Sequence, residues 1–367
     1  MTDLLPGLFA LGLMLAHLIT CLAVLRRRRP VAPARDRSAF VTLLRPVCGI
    51  DRFDARTLQS SFHLDWPRYE VVFCAARADD PAVALVSTLI ARNPQIPARL
   101  LIGEDRVSGN PKLNNLVKGW RAAAGDRIVM ADANLLLPPG YLDRLMDVDG
   151  PDVGLISSPP IGTEAQGFWA EVEVAFLNGN QARMQLFADE MGQGFAQGKT
   201  LMWSRAFLDD HGGLRALGRN LAEDVAATKL VRKAGLRVRL SAEPFAQPIG
   251  TRRMSAVWAR QLRWSKVRRD GFPLLYLAEP LNGAALPVAA AGLATGPLGA
   301  AAVAAVFYGS ELLLCRAMRW PLGALSLPAM ILRDAMIPLI WLATFRSRGI
   351  VWRGTSMAPA QAAQSAE

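Results

Sequence analysis

Tyr69-Glu70-Val71-Val72-Phe73-Cys74-Ala75 is an unbroken β-rich run, and beyond it Asp79-Asp80-Pro81 opens a helical pattern that lasts to Arg92. Pro81 suits the first helical position, where a backbone N–H is not needed. The same step recurs on both sides of this stretch. Further β-rich runs fall at Phe40 to Leu44, Arg99 to Gly103, Arg127 to Ala131, Val153 to Ser157 and Leu236 to Leu240. Helical patterns follow at Lys112 to Ala124, Gln166 to Ala188 and Ala222 to Ala234. Strands alternating with helices of this length imply parallel βαβ units and an α/β domain.

Ligands of such sheets bind beyond the carboxyl ends of the strands, so the residues just after each strand are where chemistry is sought. The second strand is followed by Asp79-Asp80-Pro81, the third by the Gly-rich loop Ser108-Gly109-Asn110-Pro111-Lys112, and the fourth by Asp132-Ala133-Asn134. Glu223-Asp224 opens a later helix, and Arg260-Gln261-Leu262-Arg263-Trp264 lies on another. Singly, each has a plain reading. Asp80 and Glu223-Asp224 suit helix N-termini, Asp132 suits a turn, Lys112 a surface, and Arg263-Trp264 a membrane interface. Together, three carboxylates past one parallel sheet with Lys and Arg describe a site for a diphosphate and a divalent cation. Carboxylates hold Mg²⁺ or Mn²⁺ while substrate phosphates complete the shell. Arg offers forked donors to a leaving phosphate, and a further carboxylate serves as general base.

The chain has 367 residues, 51% of them hydrophobic, and a net charge of +11. The apolar residues concentrate in the first 25 positions and after about residue 280, around a stretch of ordinary globular composition. Arg clusters border the apolar segments at Arg26 to Arg29, Arg252-Arg253, Arg268-Arg269, and Arg346 with Arg348. That placement favours a membrane surface over nucleic acid, and no nucleic-acid partner is expected. Cys21, Cys48, Cys74 and Cys315 have no CxxC spacing, which argues against a zinc site or a disulfide framework. With His17, His63 and His211 as the only histidines, metal or triad chemistry based on histidine is poorly supplied.

Leu4 to Leu25 is long enough to cross a bilayer core, and its basic cluster follows rather than precedes it, unlike a cleavable signal peptide. The positive-inside rule then places the residues after Arg26 in the cytoplasm. Ala284 to Cys315 reads as two short helices, a re-entrant hairpin or one tilted span. Leu322 to Phe345 is interrupted by Arg333-Asp334, and intramembrane charges face protein, water or a partner. Three or four crossings are both open on this pattern. The small, polar tail from Gly354 to Glu367 reads as disordered.

These motifs resemble the ceramide glucosyltransferase family, within the inverting transferases of the nucleotide-sugar-binding, Rossmann-like A-type fold. The resemblance runs from the N-terminal anchor to about Trp352. It is carried by Arg45-Pro46-Val47-Cys48-Gly49-Ile50-Asp51, Asp79-Asp80-Pro81-Ala82, Gly109-Asn110-Pro111-Lys112-Leu113-Asn114-Asn115-Leu116, Asp132, Gly212-Gly213-Leu214, Ala222-Glu223-Asp224 and Arg260 to Trp264. It implies that Asp80 holds the uracil end of the donor, that Asp132 lies beside the diphosphate and metal, and that Asp224 takes the proton of the acceptor hydroxyl. It further implies that Lys112, Arg260 and Arg263 serve the donor phosphates and that Trp264 meets the acceptor. Two departures stand out. Asn134 occupies the place where the wider group often has a second acid, so it is at most a weak metal ligand. Gln181-Ala182 stands where animal members have His-Pro, which implies a different acceptor or inhibitor pocket.

The expectation is a multi-pass protein of a bacterial inner membrane or its equivalent that moves a hexose, glucose by resemblance, from a UDP-sugar to a ceramide-like lipid with Mg²⁺ or Mn²⁺. Its parts are an anchor and basic linker over 1–37, a cytoplasmic catalytic domain over 38–253, an interface helix region over 254–280, membrane segments over 281–353 and a tail over 354–367. The rival readings are a transferase for a hopanoid, for diacylglycerol, or for a uronic or amino sugar. A polysaccharide synthase would need more membrane helices, and a scaffold would not need all three aspartates.

Overall fold

A computed structural model of the chain describes residues 4–27, 36–220 and 222–346, together with two short strands at Ile350–Trp352 and Thr355–Met357 that pair with each other. Arg28, Arg29, Arg348 and the rest of the tail read as disordered lie outside the described residues. The chain divides into two units. One comprises Met1–Arg28, Ile161–Glu190 and Ile249–Val351, and the other Arg29–Pro160, Met191–Pro248 and Trp352–Glu367.

The second unit is built on a seven-stranded sheet. In chain order its strands are β1 (Val41–Val47), β2 (Tyr69–Ala75), β3 (Ala98–Ile102), β4 (Arg127–Ala131) and β5 (Val153–Ser157). After β6 (Pro160–Gln166), which lies outside it, the sheet adds β7 (Thr200–Ser204) and β8 (Arg237–Leu240). The spatial order is β3-β2-β1-β4-β7-β5-β8. β6 and β9 (Phe245–Thr251) form a separate two-stranded sheet. All six strands expected from the sequence are present. β1 runs three residues past its expected end because its pairing with β2 continues to Val47, although the ladder with β4 ends at Leu44. Central strands are covered on both faces, so β2 is buried at every position and reads as an apolar run rather than an alternation.

The expectation of parallel units needs one correction. β7 is inserted between β4 and β5 and runs antiparallel to both. Thr-Leu-Met-Trp-Ser is short, buried on both faces and lacks alternation, so it carries no period by which to find it. Ile161–Glu190 groups with the first unit and not with the sheet. Its helical part begins after Gly167, whose φ of 88° ends β6. From Phe168 it turns Ala170, Val174 and Leu177 onto Ile249 and Trp264 rather than onto the sheet. Between Phe176 and Ala182 this helix takes a π-helical turn, followed by Arg183–Glu190.

Helices pack on the sheet through small residues at close approach. In the helix Pro111–Ala122, a Cβ on Gly119 would lie 2.5 Å from Cys74 Sγ on β2. The helix therefore seats directly on the sheet, which places its N-terminus past the strands' carboxyl ends.

The first unit contains three helices long and apolar enough to cross a membrane, Leu4–Arg26, Ala285–Ala317 and Ser326–Arg346. Ala285–Ala317 is broken at Gly296 (φ 75°, ψ −169°) before Pro297. The part from Pro297 onward is roughly 30 Å long at 1.5 Å per residue, enough for one crossing by itself. Leu4–Arg26 packs on the preceding piece through Ala10 against Ala290 and Ala291, the close approach that small residues permit in lipid. Arg27, expected in a basic surface cluster, is buried and pairs with Asp189 and Glu190 at 2.7 Å each.

The intramembrane charges Arg333 and Asp334 find a third member in Glu311. Arg333 Nη2 donates to Glu311 Oε2 at 2.9 Å, and Nε donates to Asp334 Oδ1 at 2.9 Å, with all three side chains essentially unexposed. Removing one partner of a buried pair leaves an uncompensated charge, which costs about 3–5 kcal/mol. Arg333→Met, which leaves the buried Glu311 and Asp334 without their cation, is therefore expected to lower the thermal unfolding midpoint of the detergent-solubilised chain sharply. The joint replacement Glu311→Gln/Arg333→Met/Asp334→Asn, which removes all three charges together, is expected to cost much less. Equal losses in the two variants would contradict this account of the cluster.

Candidate active site

Past the carboxyl ends of β4 and β2 the second unit gathers five charged side chains. Lys112 Nζ, near the start of its helix, lies 2.7 Å from Asp132 Oδ1 and 2.8 Å from Glu223 Oε1. Lys199 Nζ lies 2.9 Å from Asp132 Oδ2 and 3.0 Å from Asn134 Oδ1. Asp132 is thus held between two ammonium groups. Burial alone would raise its carboxyl pKa, but the charges and hydrogen bonds of Lys112 and Lys199 outweigh that and hold it well below the usual carboxylate range. Burial likewise opposes the charge on Lys112, and Asp132 and Glu223 more than offset it, so this ammonium is held above its ordinary pKa.

Asp224 differs from its neighbours. Burial is the largest influence on it, and the adjacent Glu223 adds like charge, so its pKa rises to about 6 despite the Gly198 N–H that donates to Oδ2 at 3.1 Å. It stands in the first turn of the helix Glu223–Lys233, and the backbone loop at Gly198 fits closely against it. A Cβ on Gly198 would fall 2.9 Å from Glu223 Oε1 and 3.5 Å from Asp224 Oδ2.

The polar residues of the Asn-Pro-Lys-x-Asn-Asn run each have a structural task. Asn110 caps the helix by accepting the Lys112 and Leu113 N–H groups, while its Nδ2 donates to Glu223 Oε2 at 2.7 Å. Asn114 accepts from the Val107 and Ser108 N–H groups, which fixes the Gly-rich loop. Asn115 Nδ2 donates to the Cys74 carbonyl near the end of β2 at 2.7 Å. Asp80 serves in two places. It caps the helix Pro81–Arg92 through the Ala82 N–H and accepts the Gly49 N–H just past β1 at 2.9 Å. The plain helix-cap reading of Asp80 is therefore correct as far as it goes.

Three contributors escaped the sequence reading. Lys199 immediately precedes the unrecognised β7, and the antiparallel register places Thr200 opposite Ala131. Asp132 N–H accordingly donates to the Lys199 carbonyl at 3.0 Å, so recognising β7 would have located Lys199 beside Asp132. Glu223 was noted only as the neighbour of Asp224, although it is the carboxylate that Lys112 and Asn110 engage. Arg45 was noted only within a motif. It is fully buried on β1 and donates from Nη2 to the carbonyls of Thr57, Ala133 and Leu135 at 3.0 to 3.2 Å. Burial lowers its pKa to about 10, so it remains charged at neutral pH and ties down the loop that follows Asp132.

Arg260, Arg263 and Trp264 belong to the other unit, on the helix Met254–Gly271. Arg260 hydrogen-bonds the fully buried Glu173, which Arg252 also approaches at 3.3 Å. Trp264 is half-buried against Ala170, Val174, Leu177 and Ile249. Gln261, between them, accepts from Gln181 Nε2 at 3.0 Å on the π-helical turn.

A sheet unit with acids and lysines gathered past its strands' carboxyl ends, joined in one chain to apolar helices, defines a transferase of the A-type nucleotide-sugar fold. Residues 8–362 match glycosyl transferase family 21, and the chain belongs to that family. Ceramide glucosyltransferase 1 of Caenorhabditis elegans is 27% identical over 277 residues, covering 75% of this chain and 59% of the relative. Ceramide glucosyltransferase of Komagataella phaffii is 27% identical over 311 residues, covering 69% of this chain and 61% of the relative. The chain thus spans about three fifths of the length of these relatives. In fold it is similar to the mannosyltransferase PcManGT of Pyrobaculum calidifontis, solved with GDP-Man and Mn²⁺. The TM-score is 0.52 at 19% identity, covering 93% of this chain and 98% of the other.

Proposed function

We propose that this protein transfers a hexose, glucose by family likeness, from a UDP-sugar to the hydroxyl of a ceramide-like lipid, with inversion at the anomeric carbon and at the cytoplasmic face of a membrane. The observation that carries the reading is Asp224. It is a carboxyl group with a pKa raised to about 6, backed by the N–H groups of Gly198 and Val225 and set in the unit that also holds Lys112, Lys199 and Asp132. A base needs a pKa near the working pH to be both ionised and able to accept a proton.

In this reading Asp224 takes the proton from the acceptor hydroxyl as its oxygen attacks the anomeric carbon opposite the departing diphosphate. Lys112 and Lys199 offset charge on the leaving group, and Asp80 orients the uracil end of the donor. Arg263 and Trp264 retain the roles that family likeness gives them, toward the diphosphate and the lipid. Arg260 reaches the donor only if it leaves Glu173, so its first task is to brace its own helix.

Mg²⁺ or Mn²⁺ fits the donor set in a limited way. Asp132 Oδ2 and Asn134 Oδ1 converge on one point, both within 3.0 Å of the same Lys199 nitrogen. Hard oxygen ligands of this kind suit either ion. Among the described residues no group of three or more His, Cys, Asp or Glu side chains surrounds such a point, so phosphate oxygens would complete the shell. When bound, the ion would stabilise charge on the departing diphosphate.

Lipid-dependent release of UDP, followed across pH, tests the proposal. Ionised Asp224 is the active form, so the rate should fall as pH drops through about 6 and level off above it. UDP release that ignores the lipid, or an acid limb absent down to pH about 4, would count against Asp224 as the base.

A further inference from the structure

Lys199 is placed where the expected metal would be. Its ammonium is at the convergence point of Asp132 Oδ2 and Asn134 Oδ1, at 2.9 and 3.0 Å. Mg²⁺ draws oxygen ligands to about 2.0–2.1 Å, so an ion held by these same two oxygens takes the ammonium's position and meets its charge. Lys199 and a divalent ion cannot both occupy that notch. Its backbone is fixed there as well, because the Lys199 carbonyl accepts the Asp132 N–H at 3.0 Å across the β4–β7 pairing. Only the four-carbon side chain is able to move.

We infer that Lys199 is a tethered counter-cation that occupies the Asp132–Asn134 notch in the resting protein and makes divalent-ion binding conditional on the donor diphosphate. The inference rests on the donor reading given above. With no nucleotide, the ammonium satisfies both oxygens, and an incoming ion must displace a charge that is already paired. A diphosphate supplies new anionic oxygens to Lys199 and further ligands to the ion, so the exchange becomes favourable only when the donor arrives. Lys112 does not share this role, because it engages the opposite oxygen of Asp132 together with Glu223. An ion whose site is vacant only a tenth of the time binds about tenfold more weakly than to an open site.

The test is Mn²⁺ binding to the full chain in detergent, by electron paramagnetic resonance and calorimetry, with and without UDP. Lys199→Met is expected to bind Mn²⁺ about tenfold or more tightly without nucleotide than the wild type does. UDP should then tighten binding much less than it does in the wild type. Adding Asp132→Asn should abolish the gain, which assigns it to this notch. Lys199→Gln, neutral and still able to hydrogen-bond, should show the same direction of change and guards against misfolding of the Met variant. Nucleotide-free Mn²⁺ affinity that is unchanged or weaker in both folded variants overturns the inference. The outcome is independent of turnover. Glycolipid formation with unchanged Mn²⁺ affinity would sink this inference alone, whereas the gain in affinity without any glycolipid would sink the transferase reading and leave the notch occupied as described.

Discussion

Asp224→Asn is expected to lower transfer by about 10² to 10⁴, the usual cost of losing a general base, while UDP-sugar binding stays close to that of the wild type. The amide keeps the size of the carboxyl, and its one oxygen still accepts one of the two N–H groups that the carboxylate accepts together, from Gly198 at 3.1 Å and Val225 at 2.8 Å. What it loses is the capacity to take a proton. The cation cluster should survive, because Lys112 pairs with Asp132 and Glu223 rather than with Asp224. Initial rates at saturating donor, with nucleotide affinity measured separately, check this split. A variant that keeps more than about a tenth of the wild-type rate would remove Asp224 from the base role.

Asp132→Ala should cause the second large loss, of a different kind. Asp132 is the only described carboxylate that joins Lys112 and Lys199, so its removal leaves two half-buried ammonium groups without their shared partner. It also deletes the one carboxylate of the Asp-x-Asn pair. Nucleotide-dependent Mn²⁺ binding should disappear, whereas Asn134→Ala, which removes only a neutral carbonyl ligand, should weaken it modestly. Chelation of divalent ions should stop turnover in the wild type. Calorimetry with UDP present separates the variants, and full turnover in excess chelator would show that Lys112 and Lys199 suffice without a metal.

The sheet and its site were legible to different degrees. β2 and β4 could be read because each is a β-rich apolar run followed by an acidic loop, a signal that β7, followed by Arg205, lacks. The acids after them could be read because parallel strands present their carboxyl ends to ligands. β7 could not, since five residues buried on both faces have no period, and its antiparallel direction cannot be inferred from neighbours that run the other way. Lys199 was lost with it. Its importance comes from a register that sets Thr200 against Ala131, a long-range fact that no local motif encodes. Arg45 shows a related limit. A charged residue inside a strand signals an edge or an exposed face, yet here three backbone carbonyls accept from it within the core. In the membrane unit, Arg333-Asp334 declared a need for partners, but the identity of Glu311, one helix away, depended on packing.

The most direct measurement is the identity and anomeric configuration of the lipid product. Membranes containing the protein would be incubated with a panel of UDP-α-sugars and lipid alcohols including ceramide. Products would be identified by mass spectrometry and stereospecific glycosidases, with Asp224→Asn membranes as the control. The account predicts a β-linked hexosyl lipid, formed from UDP-glucose and ceramide and absent from the control. An α-linked product, a product that forms equally well in the control, or no glycolipid from any donor and acceptor pair would contradict it.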